Sequence, residues 1–540
     1  MPSGERRWNG WGRAGERFPV PAAARAWLAA RLGEGDALPA MDEAAVAVPA
    51  PRRVPPLPVP AAFDAATRLR HACGQSFPDL VALRTGRIEA FPDAVCNPAD
   101  AGEVVALLRT AAAEGLIVIP RGGGTSVVGG VTVGRRAQPV VVLSLAALRG
   151  LRELDPTSML ATFGAGTLGP EVEDALAPHG LRLGHEPQSF EFSSVGGWVA
   201  TRSAGQRSTG VGKIDDLLAG AEVATAAGVW RIPSQPASAA GPDPRRLLLG
   251  SEGRFGVITA ATLRVRRQPE AEDGEVVLLP GWSAGVELCR AMLQRGLRLE
   301  VLRLSDPAET GFATALVEMS PLRSRVSRLL FGLPRYRRGC LLLLGWAGPA
   351  QEVILARQEA ARCWREARGL GLGRSGWRRW RAERFRHPYL RDELLSLGWG
   401  VDTLETAAPW ARLGELWAAV PAAIADAAAA LGMKAATLCH LSHAYRDGAS
   451  LYFTFFWPLR RGEETAHWSA LKAAATNALL AAGGTLSHHH GVGTMHAPWI
   501  GAELGAPGVA AFDAVSRALD PAGTLNPAVV HPGPAAAGGS

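Results

Sequence analysis

The feature that most constrains the fold is the segment "PRGGGTSVVGG" (120–130), which directly follows the short apolar segment "LIVIP". The three glycines at 122–124 permit a tight turn that presents bare backbone N–H groups, and Thr125 and Ser126 add hydroxyl donors. We interpret the segment as a nest for an anion such as a pyrophosphate, with a purely structural turn as the alternative. Because the spacing matches neither GxGxxG nor GxxxxGK[ST], it does not predict a Rossmann or P-loop site.

The surroundings of this loop alternate between helix and strand signals. "DAGEVVALLRTAAAEG" (100–115) is amphipathic with a capping-box start, and "LIVIP" is typical of a short buried strand. Two more glycine-rich segments follow, "FEFSSVGGWVATRSAG" (190–205) and "GSEGRFGVITAATLRV" (250–265). The proline-rich stretch "VPAPRRVPPLPVP" (48–60) predicts an extended arm, so that a domain begins near residue 62.

Composition bounds the class of protein. The chain has 540 residues, 47% of them hydrophobic and 20% charged, which predicts a globular protein of two or more domains. Its six cysteines are scattered without a CxxC, which favours a reducing compartment and argues against a disulfide scaffold or zinc site. No aliphatic run approaches the ~20 residues of a membrane span, so we expect a cytoplasmic protein.

Three consecutive histidines, His488, His489 and His490, lie in "LSHHHGVGTMHAPW" (486–499). Neighbouring side chains point in different directions, whereas metal ligands usually share a face, so we predict no metal here. Structural histidines and proton-transfer or substrate-binding histidines both remain open from the run alone.

Two arginine clusters contain apolar or aromatic residues, "LRSRVSRLLFGLPRYRRG" (322–339) and "RSGWRRWRAERFRHPYLRDE" (374–393). Such clusters suit an anionic membrane, a phosphorylated substrate or nucleic acid, and a solvated face is the simpler alternative. A nucleic-acid binder leaves the three glycine-rich segments unexplained, so we predict no nucleic-acid partner.

The three glycine-rich segments together resemble the FAD-binding half of vanillyl-alcohol oxidase-type flavoproteins. Within that superfamily, "RRWNGWG" (6–12), "LRLSD" (302–306), "ETAAPW" (405–410) and "SHHHGVG" (487–493) resemble the alkyldihydroxyacetonephosphate synthase family. The resemblance implies a noncovalently held FAD with its diphosphate on residues 120–126. The positions that it assigns to the cofactor are Pro120, Arg121, Gly122, Gly123, Gly124, Thr125, Ser126, Gln188, Ser189, Phe190, Glu191, Phe192, Ser193, Ser194, Thr201, Arg202, Ser203, Ala204, Glu252, Gly253, Arg254, Phe255, Gly256, Val257 and Ile258.

The resemblance also implies an unusual chemistry in which FAD is a covalent scaffold and no net oxidation occurs. N5 of the flavin captures C1 of acyl-dihydroxyacetone phosphate, a fatty acid leaves, and a fatty alcohol adds. Tyr452 matches the family's catalytic tyrosine, Arg391 its substrate-phosphate arginine, and Arg303 a further arginine needed for activity. Their alternatives are a core tyrosine, a surface arginine and an ion pair with Asp306.

Since imidazoles exchange protons near neutral pH, the same resemblance makes His488, His489 and His490 active-site residues on or beside the proton path. Which of the three acts directly is left open.

An FAD-dependent D-2-hydroxy-acid dehydrogenase is the main alternative function. The histidine run continues with Thr494, Met495 and His496 where the synthases have lysine and arginine, and "DPAGTLNP" (520–527) resembles the dehydrogenases. Those enzymes usually carry an "HxGDGNLH"-like segment, but the corresponding "HLSHAYRDGASLYF" (440–453) lacks the GDGN core. This difference favours the synthase.

The predicted fold is therefore α+β, with an N-terminal arm (1–61), a two-subdomain FAD-binding domain (62–270) and a cap with an antiparallel sheet and helices (271–485). Residues 486–540 are expected to return to the flavin site. The predicted partners are lipid substrates and an anionic membrane surface bound peripherally through 322–345, and a homodimer is an open possibility.

Overall fold

Four β-sheets and their flanking helices form the part of the chain that the computed structural model describes, residues 4–317 and 329–531. The predicted α+β class is confirmed by the mixture of helices with parallel and antiparallel strands, and the sheets of the predicted FAD-binding domain precede the sheet of the predicted cap.

The N-terminal arm differs from the sequence prediction, because part of it is packed. Helix α1 (Ala22–Leu32) buries Ala24, Leu28 and Leu32 against apolar side chains of the cap. The proline-rich stretch has no helix or strand, and its Val54, Leu57 and Val59 side chains pack against the FAD-binding domain.

The first subdomain holds a four-stranded sheet in the order β1-β2-β4-β3, in which β2, β4 and β3 are parallel. Asp100 caps the helix that precedes β3, and this helix and β3 lead into the 120–130 loop, as predicted. The elements are β1 (Ala61–Ala62), α2 (Ala65–Arg70), α3 (Phe77–Thr85), β2 (Ala94–Cys96), α4 (Ala101–Glu114), β3 (Ile117–Arg121) and β4 (Val140–Ser144).

The second subdomain is built on a five-stranded antiparallel sheet in the order β5-β6-β10-β8-β9, with a small β7–β11 ladder beside it. Its elements are β5 (Leu151–Asp155), β6 (Leu160–Gly164), α5 (Gly169–Leu176), β7 (Leu181–Arg182), α6 (Val195–Thr201), α7 (Ser208–Val211), α8 (Ile214–Leu217), β8 (Leu218–Thr225), β9 (Gly228–Ile232), α9 (Pro244–Leu248), β10 (Val257–Arg264) and β11 (Arg266–Arg267).

The cap is a seven-stranded antiparallel sheet in the order β15-β12-β14-β13-β17-β18-β16. Its strands are β12 (Ala271–Leu279), β13 (Val301–Ser305), β14 (Cys340–Gly348), β15 (Leu370–Gly373), β16 (Trp399–Pro409), β17 (Ala436–Ala444) and β18 (Gly448–Pro458). The described helices of the cap are α10 (Trp282–Gln294), α11 (Pro307–Leu316), α12 (Ala350–Glu366), α13 (Ser375–Glu383), α14 (His387–Ser396), α15 (Leu413–Ala430) and α16 (Glu464–Ala481).

The two faces of this sheet differ because side chains alternate along each strand. One face buries aliphatic and aromatic residues, such as Leu304, Leu441 and Phe453, in the main core of the cap. The cross-strand pairs Ser305–His440, His440–Tyr452 and Tyr452–Glu405 lie on the other face. A one-residue shift in strand register would exchange the two faces. Burial of the apolar side chains therefore also determines which side chains lie on the polar face.

The C-terminal segment returns to the first subdomain. Its helix α17 (Ile500–Leu519) is interrupted at Gly505, and the residues after it form a parallel bridge between Leu525 and Val118 of β3. Since β3 is an edge strand, this bridge covers an otherwise open sheet edge.

One helical stretch, Trp410–Ala430, is long and apolar enough by length and composition to cross a membrane, contrary to our expectation that none would be. Its larger aliphatic side chains, including Leu416, Val420 and Ile424, are buried in the cap core. We therefore interpret it as a core helix.

Candidate active site

The three-histidine turn is bound by a buried carboxylate of the cap, Glu405. Its oxygens accept the backbone N–H groups of His488, His489 and His490 at 2.6, 3.1 and 2.9 Å, and the Ser487 hydroxyl at 2.7 Å. Burial opposes the charged form, but the three imidazoles and the Ser487 hydroxyl hold the pKa of Glu405 well below its usual range. Glu405 therefore fixes the turn as a carboxylate, a role that the sequence analysis missed.

A second buried carboxylate, Glu252 of the FAD-binding domain, binds the other half of the same turn. Its two oxygens accept the N–H groups of Val492 at 2.6 Å and Gly493 at 2.9 Å. The side chain of Asn526 donates to the Glu252 carbonyl at 3.1 Å. The Glu252 N–H donates to the Ala200 carbonyl at 3.0 Å, so both the side chain and the backbone of this predicted cofactor residue are engaged by the protein.

Tyr452 packs against three imidazole rings on the polar face of the cap sheet, two of them stacked and one edge-on. The Tyr452 ring lies 4.9 Å from that of His440, 5.9 Å from His489 and 5.6 Å from His490. Burial raises the pKa of Tyr452 to about 12, so its phenol is protonated at neutral pH. Burial also lowers the pKa of His489 well below its usual value and lowers that of His490, so both imidazoles are neutral.

Arg303 lies beside this group. Its guanidinium contacts Glu309 of α11 at 2.8 Å and Nδ1 of His440 at 3.2 Å. The expected alternative partner, Asp306, instead caps α11 by accepting the Glu309 N–H. The structure thus brings Arg303 together with Tyr452 through His440.

A fifth histidine of this site, His443, was not singled out from the sequence, and neither was His440. His443 sits at a bulge in β17 with a φ of 45°, and its ring lies 5.3 Å from His488 and 5.0 Å from His489. Its Nδ1 is 2.6 Å from the Ser208 hydroxyl of the FAD-binding domain. The "HLSH" spacing in a strand places His440 and His443 on one face only because of this bulge, so alternation alone could not have found it.

His488 is the histidine that is most engaged with the protein. Its Nε2 lies 2.7 Å from the Tyr445 hydroxyl, and its carbonyl accepts a hydrogen bond from Lys213 at 2.5 Å. Burial, followed by nearby Lys213, lowers the pKa of His488 to about 3. Because its Nε2 and its carbonyl are both engaged by the protein, His488 is less available to a substrate than His489 and His490.

The 120–126 loop fits a diphosphate. A Cβ at Gly122 would lie 2.0 Å from the Ser194 hydroxyl and one at Gly123 would lie 1.7 Å from the Phe192 carbonyl, so both positions require glycine. Within the described chain, the N–H groups of residues 122–126 have no protein acceptor. Such a row of free donors suits the oxygens of a diphosphate.

Some of the other positions predicted to bind the cofactor lie near this loop, and others lie around the end of α6 or at the start of β10. Those near the loop are Ser193, Ser194 and Gly253, and a Cβ at Gly253 would lie 3.2 Å from Pro120. Residues Thr201, Arg202, Ser203 and Ala204 lie at the end of α6 and just after it, and Phe255, Gly256, Val257 and Ile258 lead into β10.

Several of the predicted cofactor side chains contact other parts of the protein instead. Gln188 donates to the Arg384 carbonyl, Phe190 stacks on Phe385, Glu191 accepts the Tyr389 hydroxyl, Arg202 pairs with Asp215, and Arg254 donates to the Leu525 carbonyl. Ser189 accepts backbone N–H groups from Phe192 and Ser193. These contacts order the walls of the site around the loop.

Arg391 of α14 lies between the loop and the polar face of the cap. It donates to the Gln75 carbonyl at 2.8 Å, and the Gln75 N–H donates to the Ser126 carbonyl at 2.7 Å. Its buried Nε has no partner in the described chain. Arg384, just before α14, pairs with Glu186 at 2.8 Å and so ties this region to the FAD-binding domain.

Ligand atoms of Glu405, His488 and His489 lie within 4.8 Å of one another, which is a spacing that a metal ion could use. Sequence analysis predicted no metal because adjacent side chains diverge, and the turn overcomes that divergence. Both oxygens of Glu405 already accept N–H groups.

Comparison with known proteins adds independent observations. Residues 92–232 match the family described as FAD binding domain, and residues 268–530 match FAD linked oxidases, C-terminal domain. The alkyldihydroxyacetonephosphate synthase of Trypanosoma brucei brucei is 30% identical over 485 residues, which is 87% of this chain and 78% of that protein. A solved alkyldihydroxyacetonephosphate synthase superposes with a TM-score of 0.83 at 26% identity, covering 96% of this chain and 98% of that one.

Relatives named as oxidoreductases are less similar to this chain: the glycolate oxidase subunit GlcD of Bacillus subtilis (strain 168) is 26% identical over 450 residues, which is 82% of this chain and 90% of that protein. A D-2-hydroxyglutarate dehydrogenase of Xanthomonas citri pv. viticola (strain LMG 965 / NCPPB 2475 / ICMP 3867 / CFBP 7660) is 30% identical over 218 residues, which is 40% of this chain and 45% of that protein. The FAD-binding and FAD-linked oxidase matches confirm FAD as the cofactor.

Glu252 gives a pH-dependent prediction. Burial raises its pKa to about 7, against the opposing effect of the Val492 and Gly493 N–H groups. Between about pH 4.5 and 7 the folded state binds a proton that the unfolded state has lost, so this residue's contribution to stability falls as pH rises and is constant above pH 7. Relative to Glu252→Gln, the wild-type free energy of unfolding should fall by roughly 3 kcal/mol across this range in denaturant titrations.

Glu114→Gln, at an exposed helix end, is the matched control and should give a difference that does not vary with pH. A pH-independent difference for Glu252→Gln as well would show that the carboxyl does not titrate in this range.

Proposed function

Since this chain belongs to the alkyldihydroxyacetonephosphate synthase family, we propose that it exchanges the acyl group of acyl-dihydroxyacetone phosphate for a fatty alcohol in ether lipid synthesis. The observation that carries the proposal is the polar face of the cap sheet, where Tyr452, His440 and Arg303 lie against the three-histidine turn. FAD, when bound, supplies the flavin ring that is the scaffold of this exchange. The protein's own residues bind the substrate and move protons.

His489 and His490 are the proton acceptors in this proposal. Both imidazoles are neutral, and both lie beside Tyr452. The Glu405 carboxylate lies 3.4 Å from Nδ1 of His489 and 3.8 Å from Nδ1 of His490. It would therefore stabilise an imidazolium as soon as either ring accepts the C1 proton, which is the arrangement a general base requires.

Tyr452 complements these bases as a proton donor. Its phenol stays protonated at neutral pH, and its ring is held between the imidazoles of His440 and His489. A departing fatty carboxylate needs a hydrogen-bond donor, and a buried phenol supplies one without carrying charge.

Arg391 is proposed as the ligand of the substrate phosphate. Its Nη1 and Nη2 donate to the carbonyl and the side-chain oxygen of Gln75 at 2.8 and 3.4 Å, whereas its buried Nε has no partner in the described chain and is the donor left for a phosphate oxygen. A planar fork suits a phosphate, which accepts two parallel N–H bonds.

We propose that the membrane-binding surface is smaller than the predicted segment 322–345. Arg323, Arg325 and Arg328 lie outside the described residues, and the apolar run from Cys340 onward is the buried strand β14. The surface that remains consists of Leu329 and Leu333, which are 70% and 42% exposed, with exposed Arg335, Arg337 and Arg338 beside them. Aliphatic side chains next to arginines favour an anionic bilayer, where long-chain substrates also partition.

The first test separates acyl exchange from oxidation. We expect purified enzyme given palmitoyl-dihydroxyacetone phosphate and hexadecanol to form the alkyl ether with no electron acceptor, as detected by mass spectrometry. D-lactate or D-2-hydroxyglutarate should leave the flavin oxidised under anaerobic conditions, because the proposed exchange has no net redox step. Bleaching of the flavin by either acid, with no ether formed, would make the dehydrogenase the better assignment.

Tyr452→Phe should lower the exchange rate by about a hundredfold or more, because it deletes the proton donor and keeps the ring. FAD content should not change. Tyr336→Phe is the matched control, since that hydroxyl donates to the Arg368 carbonyl on the outer part of the cap. Activity of Tyr452→Phe close to that of Tyr336→Phe would assign Tyr452 a packing role.

Liposome flotation tests the membrane surface. Wild-type protein should float with anionic vesicles, less so at high salt, and the double change Leu329→Ser with Leu333→Ser should reduce the floated fraction. Ile354→Ser with Leu355→Ser is the control, because these two aliphatic residues of α12 are also exposed. Equal flotation of wild type and the Leu329/Leu333 variant would contradict the assigned surface.

A further inference from the structure

The N-terminal segment 5–13, which contains "RRWNGWG", forms a closed loop over the FAD-binding domain. It is closed by hydrogen bonds from the Ala14 N–H to the Glu5 carbonyl and from the Arg7 N–H to the Gly12 carbonyl, at 2.8 and 3.0 Å. We call this loop the strap. The sequence analysis gave it no role.

The strap is anchored on α14 and on the 190s segment. The Trp11 N–H donates to Asp392 at 2.8 Å, and the Trp11 ring meets Phe192 edge-on at 5.4 Å. A Cβ at Gly10 would lie 2.6 Å from Asp392, and one at Gly12 would lie 2.2 Å from the Tyr389 ring. The glycines of the motif are therefore required for close packing, and the strap has a defined position.

This anchoring places Arg6 against the 122–126 loop. Its guanidinium donates to the Gly123 carbonyl and lies 5.0 Å from the centre of the Phe192 ring. Arg121 lies on the same loop, because a Cβ at Gly124 would be 2.4 Å from its Nη2. Two guanidinium groups thus lie against the loop.

Neither guanidinium has a carboxylate partner. In the described chain, no carboxylate oxygen lies within 4 Å of Arg6 or Arg121, and Arg121 donates only to the carbonyls of Cys73 and Arg70. Burial, followed by Arg121 and Arg13, lowers the pKa of Arg6 to about 9. Asp79 is a counter-charge for Arg121 beyond ion-pair distance, whereas the charged groups that act on Arg6 are other arginines, so Arg6 is costly to bury unless an anion joins it.

The loop supplies the remaining part of an anion site. The N–H groups of residues 122–126 have no acceptor within the described residues, and both arginines lie against this loop. We propose that Arg6 is a ligand for phosphate oxygens bound at this loop, and that the strap exists to hold its guanidinium there. The anion is either the FAD diphosphate or the phosphate of the substrate. The inference rests on FAD binding and not on acyl exchange.

A purely structural role for Arg6 makes a different prediction. If Arg6 only fastens the strap to the Gly123 carbonyl, Arg6→Gln keeps an N–H donor for that carbonyl and ligand binding should be unchanged. If the charge matters, Arg6→Gln removes it, while Arg6→Lys keeps the charge but loses the planar fork. Arg17→Gln, at an exposed position just beyond the strap, controls for loss of one positive charge.

The experiment uses purified holoenzyme in two arms that need no turnover. The first arm measures the dissociation constant of FAD from the free flavin in ultrafiltrates at successive dilutions. The second titrates inorganic phosphate into FAD-saturated enzyme and follows the flavin absorbance. Circular dichroism melting of each variant reports on folding.

We expect Arg6→Gln to raise one of the two constants about tenfold or more, with Arg6→Lys intermediate and Arg17→Gln within about twofold of wild type. A shift in the first arm identifies the anion as the FAD diphosphate, and a shift in the second alone identifies the substrate phosphate. Both constants within twofold of wild type for Arg6→Gln would overturn the proposal. If Arg6→Gln does not yield folded holoenzyme, Arg6→Lys decides by the same twofold criterion.

Discussion

The clasp of one backbone turn by two buried carboxylates is the interaction on which the site depends. Glu405 comes from the cap and binds residues 487–490, whereas Glu252 comes from the FAD-binding domain and binds Val492 and Gly493. Each hydrogen bond to a charged acceptor contributes about 1.5–3 kcal/mol, and leaving a buried donor unpaired costs a comparable amount. The turn therefore joins the two domains at the same place where it presents its histidines, so the domain interface and the geometry of the candidate active site are set together.

The same clasp determines the electrostatics of the site. The charge of Glu405 is satisfied by N–H and O–H dipoles, so the imidazoles around it need not be protonated to neutralise it. Burial then keeps His489 and His490 neutral and ready to accept a proton. Glu252 is bound by only two N–H groups, and burial raises its pKa to about 7. The two carboxylates therefore differ in pKa, because Glu405 accepts four hydrogen bonds and has imidazoles beside it, whereas Glu252 accepts two.

Local signals in the sequence identified much of the fold and part of the site. The glycines at 122–124 were identifiable because tight turns and close approaches restrict single positions, and the structure shows that two of them have no room for a side chain. Tyr452 and Arg303 were assigned to the site by their match to the family's motifs. The roles of Glu405, His443 and Arg6 were not predicted, although two of these residues lie in the quoted segments 405–410 and 6–12, because the roles depend on strand register, a bulge and a contact across more than a hundred residues. Glu405 is one of many acidic residues until the Tyr452–Glu405 pairing is known.

The turn also bears on whether its histidines bind a proton or a metal. A cation at the Glu405–His488–His489 cluster would need lone pairs of Glu405, but one oxygen already accepts two N–H groups and the Ser487 hydroxyl, and the other accepts the His488 N–H. Those donors direct partial positive charge toward the carboxylate and repel a cation there. His488 also has its Nε2 occupied by the Tyr445 hydroxyl. A proton needs only one imidazole lone pair and benefits from the nearby negative charge. The geometry therefore favours acid–base chemistry over metal ligation at this turn.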